Sequence, residues 1–460
     1  MKTLPYLSSD RAGATPLTIV TEAGFCAFLN TLSEWQRQWI ATQQFAAKPE
    51  TALMLPSPDG AHRALVGVRE QLNLWSLAHA PLQLPAGRYV IDTTLDDNTH
   101  IQLALGCSLA QYLFTRYRKA EIKRFTYIVP NDEISLRVTQ QLEAITLTRD
   151  LINTPTNDMG PQHLAAAAQD VANSMGAECS IISGEALLEK NYPAIHAVGR
   201  ASASEPCLID IRWGDPSHPK VTLVGKGVCF DTGGLDLKPY SSMKLMKKDM
   251  GGAALVLGLA QLIAATKLPI RLRVLVAAVE NSVSSNAFRP QDVLATRKGL
   301  TMEIGSTDAE GRVILADALC EADSESPEII IDAATLTGAA RTALGTEIPA
   351  IFSLRPETGN ALMQTALSNH DPMWQLPLWD GYERYLKTPI ADITNSPNYG
   401  YAGSITAALF LKKFVTNTRD WIHIDTMAWN IDPQPGRPIG GEALGLRALY
   451  RFIAERYAKI

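Results

Sequence analysis

The sequence predicts an α/β protein with a small N-terminal α/β domain and a larger C-terminal α/β domain built on a mostly parallel central sheet. Three observations carry this expectation. The 460 residues exceed one ordinary domain. A long amphipathic run, 133–151, stands between the two parts. Beyond it, helix and strand patterns alternate, and such alternation makes a parallel sheet covered on both faces. The expected limits are 1–132 for the first domain, 133–154 for a linking helix and 155–460 for the second domain.

In chain order, apolar spacing predicts helices over 25–32 and 35–40, strands over 64–68 and 88–91, an apolar helix over 101–116 and a strand over 125–129. No set of chemistry-bearing residues gathers here, so this part reads as a scaffold or assembly domain. In the linking run, Ile134, Leu136, Val138, Leu142, Ile145 and Leu147 fit one helical face. The run ends before Pro155, because the residue preceding a proline avoids the helical region. A helix over 161–174 follows, then strands over 178–183, 207–212 and 221–225, a helix over 250–265 and a strand over 270–279. Helix is expected again from Arg312, strand over 329–331 and helix after Thr337. In such sheets, sites collect beyond the carboxyl ends of the strands.

Composition narrows the class. Hydrophobic residues make up 46% and charged residues 19%, as in an ordinary globular protein with ample core. A net charge of -5 disfavours a dedicated nucleic-acid binder. The six cysteines are scattered without a C-x-x-C pair, which excludes a disulfide framework or a cysteine zinc site and suits a reducing compartment. The opening Met1–Tyr6 lacks the long apolar segment of a signal peptide, and no apolar run reaches transmembrane length. A cytoplasmic location with no membrane partner is expected.

Chemistry concentrates at three places. The strand over 221–225 runs into Lys226, Asp231 and Lys238, with Gly227, Gly233 and Gly234 between them. Neither phosphate-loop pattern is present there. Asp249 precedes the long apolar helix, where an acid commonly caps the helix; that position also holds a carboxylate still enough to coordinate. In the third stretch, 305–312, Asp308, Glu310 and Arg312 occupy alternate positions. If extended, they share one side; the plainer alternative is helix capping and solvated charge.

The segments 226–238, 249–254 (Asp-Met-Gly-Gly-Ala-Ala) and 307–312 (Thr-Asp-Ala-Glu-Gly-Arg) resemble the signatures of the leucine aminopeptidase (cytosol aminopeptidase) family of two-zinc exopeptidases. So do 149–155, 333–339 and 402–411, and the resemblance runs in order over about 145–450. It implies one metal held by Lys226, Asp231, Asp249 and Glu310, and a second by Asp231, Asp308 and Glu310. Four carboxylates would balance two divalent ions, and Lys226 must be a neutral amine to coordinate. Zn2+ or Mn2+ is expected, although the donor set also suits Co2+ or Mg2+. Lys238 and Arg312 would form the catalytic pair, with Lys238 facing the oxyanion and Arg312 holding bicarbonate as proton shuttle.

The resemblance also implies that Met246 lines the pocket for the first side chain, with Thr335 and Gly338 opposite. The Leu336 carbonyl would receive the peptide, and apolar first residues such as leucine or methionine are expected. It implies peptide substrates and a homo-oligomer, a hexamer in the family. Some relatives also bind DNA, so the alternative is a DNA-binding or structural relative with secondary peptidase activity, which the acidic balance disfavours. Two positions depart from the family: Ser306 replaces the usual Asn, and Asp236 replaces a small polar residue. Asp236 could pair with Lys238 or point outward. His423 reads as a packed core histidine.

Overall fold

The computed structural model describes residues 6–57, 60, 62–120 and 124–458. Met1–Pro5, to which the reading of the N-terminus applies, lie outside them. The chain packs as two compact units, 1–146 with 432–439, and 147–431 with 440–460. The boundary falls inside the helix Asp132–Asn153, not at either of its ends.

The first unit contains a six-stranded sheet. Its strands are β1 (Leu7–Ser8), β2 (Thr15–Thr21), β3 (Ala52–Pro56), β4 (His62–Val68), β5 (Gly87–Ile91) and β6 (Phe125–Ile128). They lie in the order β1-β6-β5-β2-β4-β3, parallel except for β3 against β4. The helix expected over 101–116 spans Asp97–Leu109 instead. It starts earlier because Asp96 accepts from Thr99 N at 3.0 Å, and past its end Gln111 bonds both Cys107 O and Phe125 O.

The second unit holds β7 (Glu178–Ser183), β8 (Cys207–Trp213), β9 (Lys220–Asp231) and β10 (Arg271–Asn281). Next come β11 (Val293–Ala295), β12 (Thr301–Glu303), β13 (Ile329–Ala334) and β14 (Ala350–Ser353). Then follow β15 (Trp374–Gln375), β16 (Ile393–Thr394) and β17 (Trp421–Asp425). The eight-stranded sheet runs β15-β14-β17-β13-β9-β10-β8-β7. Its four central strands, β17, β13, β9 and β10, are parallel, while β14 and β8 pair antiparallel with them.

Helices cover both faces, as the buried central strands require. On one face Gly252 lets the helix Gly251–Ala265 approach so closely that a Cβ there would stand 2.0 Å from Ala333 O. On the other, the helix Glu310–Ser324 buries Val313, Ile314 and Leu315 in the same core as Val224 and Val228 of β9. The stretch Met246–Ala265 is apolar and long enough to cross a bilayer, which the composition reading did not foresee. Most of its apolar window is buried inside the molecule, as in a core helix.

Candidate metal centre

β9 runs six residues past the predicted strand end, through Asp231. Lys226 stands between Val224 and Val228, on the face covered by the helix Glu310–Ser324. Five positions separate it from Asp231, and in an unbroken strand an odd separation puts two side chains on opposite faces. The pairing with β10 shifts here: Val228 faces Val279 and Phe230 faces Glu280, so Cys229 is one residue too many. That bulge cancels the odd count and brings Lys226 and Asp231 to one side.

The other functional groups reach the same place from neighbouring elements. Asp249 lies on the short 3-10 turn Met246–Met250, and Thr335 at the end of β13 donates its hydroxyl to Asp249 Oδ1 at 2.7 Å. Asp308, Glu310 and Arg312 are not on an extended segment. Thr307–Ala309 is a 3-10 turn, and Glu310 opens the helix that carries Arg312. They converge because the turn is tied on both sides. Asp236 Oδ2 accepts from Thr307 N at 2.7 Å, and Ser306 Oγ accepts from Asp308 N at 3.2 Å. Asp236, although exposed, therefore does not pair with Lys238; it anchors the loop. Ser306 acts as the cap of the turn.

All seven of the expected metal and catalytic side chains line one cavity of about 580 Å³. Lys226 Nζ lies 2.8 Å from Asp249 Oδ2 and 3.0 Å from Glu310 Oε1, and it donates to Thr335 O at 3.2 Å. Lys238 Nζ is 2.9 Å from Asp231 Oδ2 and pairs also with Asp308. Asp231 Oδ1 accepts from Gly233 N at 2.8 Å and from Asn281 Nδ2 at 2.9 Å. Met246, Thr335, Leu336 and Gly338 line the cavity as well. The Thr335 hydroxyl is already committed to Asp249, and Leu336 N donates to Asp425 at 3.0 Å.

The electrostatics describe a buried, crowded set of acids. Burial and the neighbouring carboxylate of Asp231 push Glu310 up to about 8. Burial and Asp249 likewise raise Asp231. Burial alone would lower Lys226, but Asp249, Glu310 and Asp231 outweigh it and hold the ammonium above its usual range. Lys238 is raised in the same way, chiefly by Asp231 against its own burial. Burial lowers Lys248 to about 8, with Asp249 opposing and Arg341 adding to the depression. Burial lowers Arg312 to about 10.

This donor set fits divalent cations. Oxygens of Asp231, Asp308 and Glu310 lie within 4.8 Å of one another, a span one ion can bridge. Glu310 Oε2 is buried with no hydrogen-bond partner among the described residues, which a cation would supply. Arg312 Nη1 donates to Asn395 O at 2.7 Å, yet its buried Nε has no such partner, so the guanidinium keeps donor capacity for an anion.

Two residues escaped the sequence reading. Asn395 is fully buried and bonds Gly305 N, Ser306 N and O, and Ala309 O, in addition to offering its carbonyl to Arg312. Asp425, at the end of β17, fixes the turn after β13 through Leu336 N, Thr337 N and the Thr337 hydroxyl. Neither sits in a pattern with a mechanical meaning, since both act on backbone brought near by the fold. His423 is fully buried, with Nδ1 2.6 Å from Asp332 Oδ1, and takes no part in the cavity wall.

Comparison with known proteins bears on this geometry. The cytosol aminopeptidase family catalytic-domain model matches residues 146–450, and the M17 aminopeptidase N-terminal domain model matches 15–130. A probable cytosol aminopeptidase of Syntrophotalea carbinolica is 42% identical over 315 residues, 68% of this chain and 63% of that protein. Peptidase B of Cronobacter sakazakii is 41% identical over 322 residues, 68% of this chain and 75% of that protein. Among solved structures, cytosol aminopeptidase from Coxiella burnetii superposes with a TM-score of 0.95 at 45% identity, covering 98% of this chain and 99% of that one. The bottromycin maturation enzyme BotP in complex with Mn superposes with a TM-score of 0.87 at 28% identity, covering 97% and 100%. With both domain models matched in sequence order, the chain belongs to the cytosol aminopeptidase (M17) family.

Proposed function

We propose that the protein is a metal-dependent aminopeptidase that releases N-terminal amino acids from peptides. The observation that carries the reading is the convergence of four carboxylates, two lysines and Arg312 on one cavity at the carboxyl end of β9. Asp231, Asp249, Asp308, Glu310 and Lys226 would hold two divalent ions, Zn2+ or Mn2+; the manganese complex of the BotP relative supports the second. Bound there, the ions supply Lewis acidity, a nucleophilic water at neutral pH and an anchor for the substrate's free α-amine. Lys226 gives up its proton in the loaded state, since an amine coordinates only through a free lone pair.

The remaining roles belong to the chain itself. Lys238, held by Asp231 and Asp308, faces the negative charge that develops on the scissile carbonyl oxygen. Removing one such donor costs about 3 kcal/mol of transition-state stabilisation. Arg312 presents a planar donor set that suits bicarbonate, which would carry the proton, since no histidine lines the cavity among the described residues. Met246, Thr335 and Gly338 would flank the first side chain, and the Leu336 carbonyl would receive the peptide; Met246 and Leu336 accommodate an apolar residue such as leucine or methionine. All these groups belong to the second unit. Residues 155–460 are accordingly the proposed catalytic domain, with 1–132 as scaffold and 133–154 as linking helix. The relatives named cytosol aminopeptidase support a cytoplasmic site of action, and a homohexamer is the assembly proposed.

Hydrolysis of aminoacyl-coumarin amides by chelated protein, reloaded separately with Zn2+, Mn2+, Co2+ or Mg2+, tests the reading. Cleavage of free but not N-acetylated leucyl amide is expected with at least one metal. Cleavage of neither, with every metal, contradicts it.

A further inference from the structure

The cavity wall carries two cations that none of these roles uses, Lys248 and Arg341. Lys248 is only 2% exposed, although a lysine is rarely buried unless paired. Among the described residues its ammonium has neither a hydrogen-bond acceptor nor a carboxylate within ion-pair distance. Arg341 donates to Thr337 O at 3.1 Å and likewise has no carboxylate partner among them. The acids nearby are committed elsewhere: Asp249 to Lys226 and Thr335, and Asp425 to the Leu336 and Thr337 amides and the Thr337 hydroxyl.

Buried structural cations elsewhere in the unit look different. Arg149 lies 2.8 Å from Glu442, and Arg273 lies 2.7 Å from Asp210. Holding a buried ammonium and a half-buried guanidinium in one wall without a counter-charge is unfavourable, and such an arrangement persists where a ligand brings the missing charge.

The position of the pair says which charge that is. Lys248 shares the turn Met246–Met250 with Met246, and Arg341 sits on the helix Gly338–Leu344, one turn beyond Gly338. Both cations therefore extend from the residues proposed to flank the first side chain. We propose that Lys248 and Arg341 form a subsite for a carboxylate on that side chain, so that the enzyme favours peptides beginning with glutamate or aspartate over their neutral isosteres. Met246 contacts the aliphatic stem while the carboxylate meets the ammonium and the planar guanidinium. This specificity rests on the aminopeptidase reading above.

The test is kcat/KM for glutamyl-, glutaminyl- and leucyl-coumarin amides with the metal-loaded wild type, Lys248→Met and Arg341→Gln. The expected wild-type ratio of glutamyl to glutaminyl is about 10 or more, and Lys248→Met lowers that ratio by about 30-fold, as for loss of one partner of a buried charge pair. A ratio taken within each variant cancels general damage to the enzyme. Should Lys248→Met fail to fold, a fall in the same ratio for Arg341→Gln, together with stronger inhibition of the wild type by glutamate than by glutamine, carries the proposal. Leucyl amide cleavage with no preference for glutamyl over glutaminyl overturns the subsite alone; no cleavage of any amide overturns the aminopeptidase reading as well. Leucyl-glycine and leucyl-glycine amide form a second arm. If the substitutions remove an advantage of the free acid and leave the glutamyl ratio unchanged, the cations serve a dipeptide's terminal carboxylate and the proposal fails.

Discussion

At Gly311 the missing side chain is what lets Lys226 lie across the first turn of the Glu310 helix. A Cβ there would stand 2.6 Å from Lys226 Cε and 2.7 Å from Nζ. Gly311→Ala is therefore expected to displace Lys226 and weaken metal binding by about 10- to 100-fold, the range for disturbed ligand support, with far-ultraviolet circular dichroism unchanged. Isothermal titration with Mn2+ measures it. Asn395→Ala should loosen the Gly305–Ala309 loop and the Arg312 guanidinium together. A loss of about 2 kcal/mol in urea unfolding is expected, because several buried backbone groups lose their partner. The residues proposed as ligands were marked out by the resemblance of segments 226–238, 249–254 and 307–312 to a known family, and the fold brings them to one cavity. Asn395 and Asp425 were not, because they act on backbone from elsewhere in the chain. For Asp236 the sequence left a pairing with Lys238 or an outward direction open, and only the fold shows Thr307 N 2.7 Å from its carboxylate.

The elements of the second unit that the hydrophobic pattern marked out are present, and the errors have local causes. β9 was cut short at Gly225 because Lys226 and the glycines broke its apolar run, and a bulge at Cys229 leaves no mark in composition. The alternate positions of Asp308, Glu310 and Arg312 suggested extension, whereas the capped turn at Ser306 starts a helix. In the first unit, β2 and β3 went unread because each contains a proline, Pro16 and Pro56, which demotes a strand pattern. Packing at the element scale is tested at Gly252, where the helix Gly251–Ala265 meets the backbone of β13. Gly252→Val must push helix and strand apart, at a cost of about 3 kcal/mol. A fall in Tm of several degrees in scanning calorimetry is expected, and an unchanged Tm contradicts this close approach.

For the whole molecule, the raised carboxyls link stability, pH and metal. In an unfolded chain Glu310 titrates near ~4.3, whereas in the metal-free fold it is pushed up to about 8. Between those values the native protein binds more protons than the unfolded chain, so stability falls as pH rises through the interval. Divalent ions held by the proposed ligands would replace the proton as counter-charge. The gain in Tm on adding metal to chelated protein should therefore be larger at pH 8 than at pH 6, and an equal or smaller gain at pH 8 contradicts the burial of Glu310. The two-ion centre itself is tested most directly by titrating chelated protein with Mn2+ while following leucyl amide hydrolysis and bound metal together. Activity should be absent without metal and rise to a plateau as two equivalents bind, and Glu310→Gln should bind fewer and stay inactive. Full activity in the chelated protein, or in Glu310→Gln, would contradict a centre built on Asp231, Asp249, Asp308, Glu310 and Lys226.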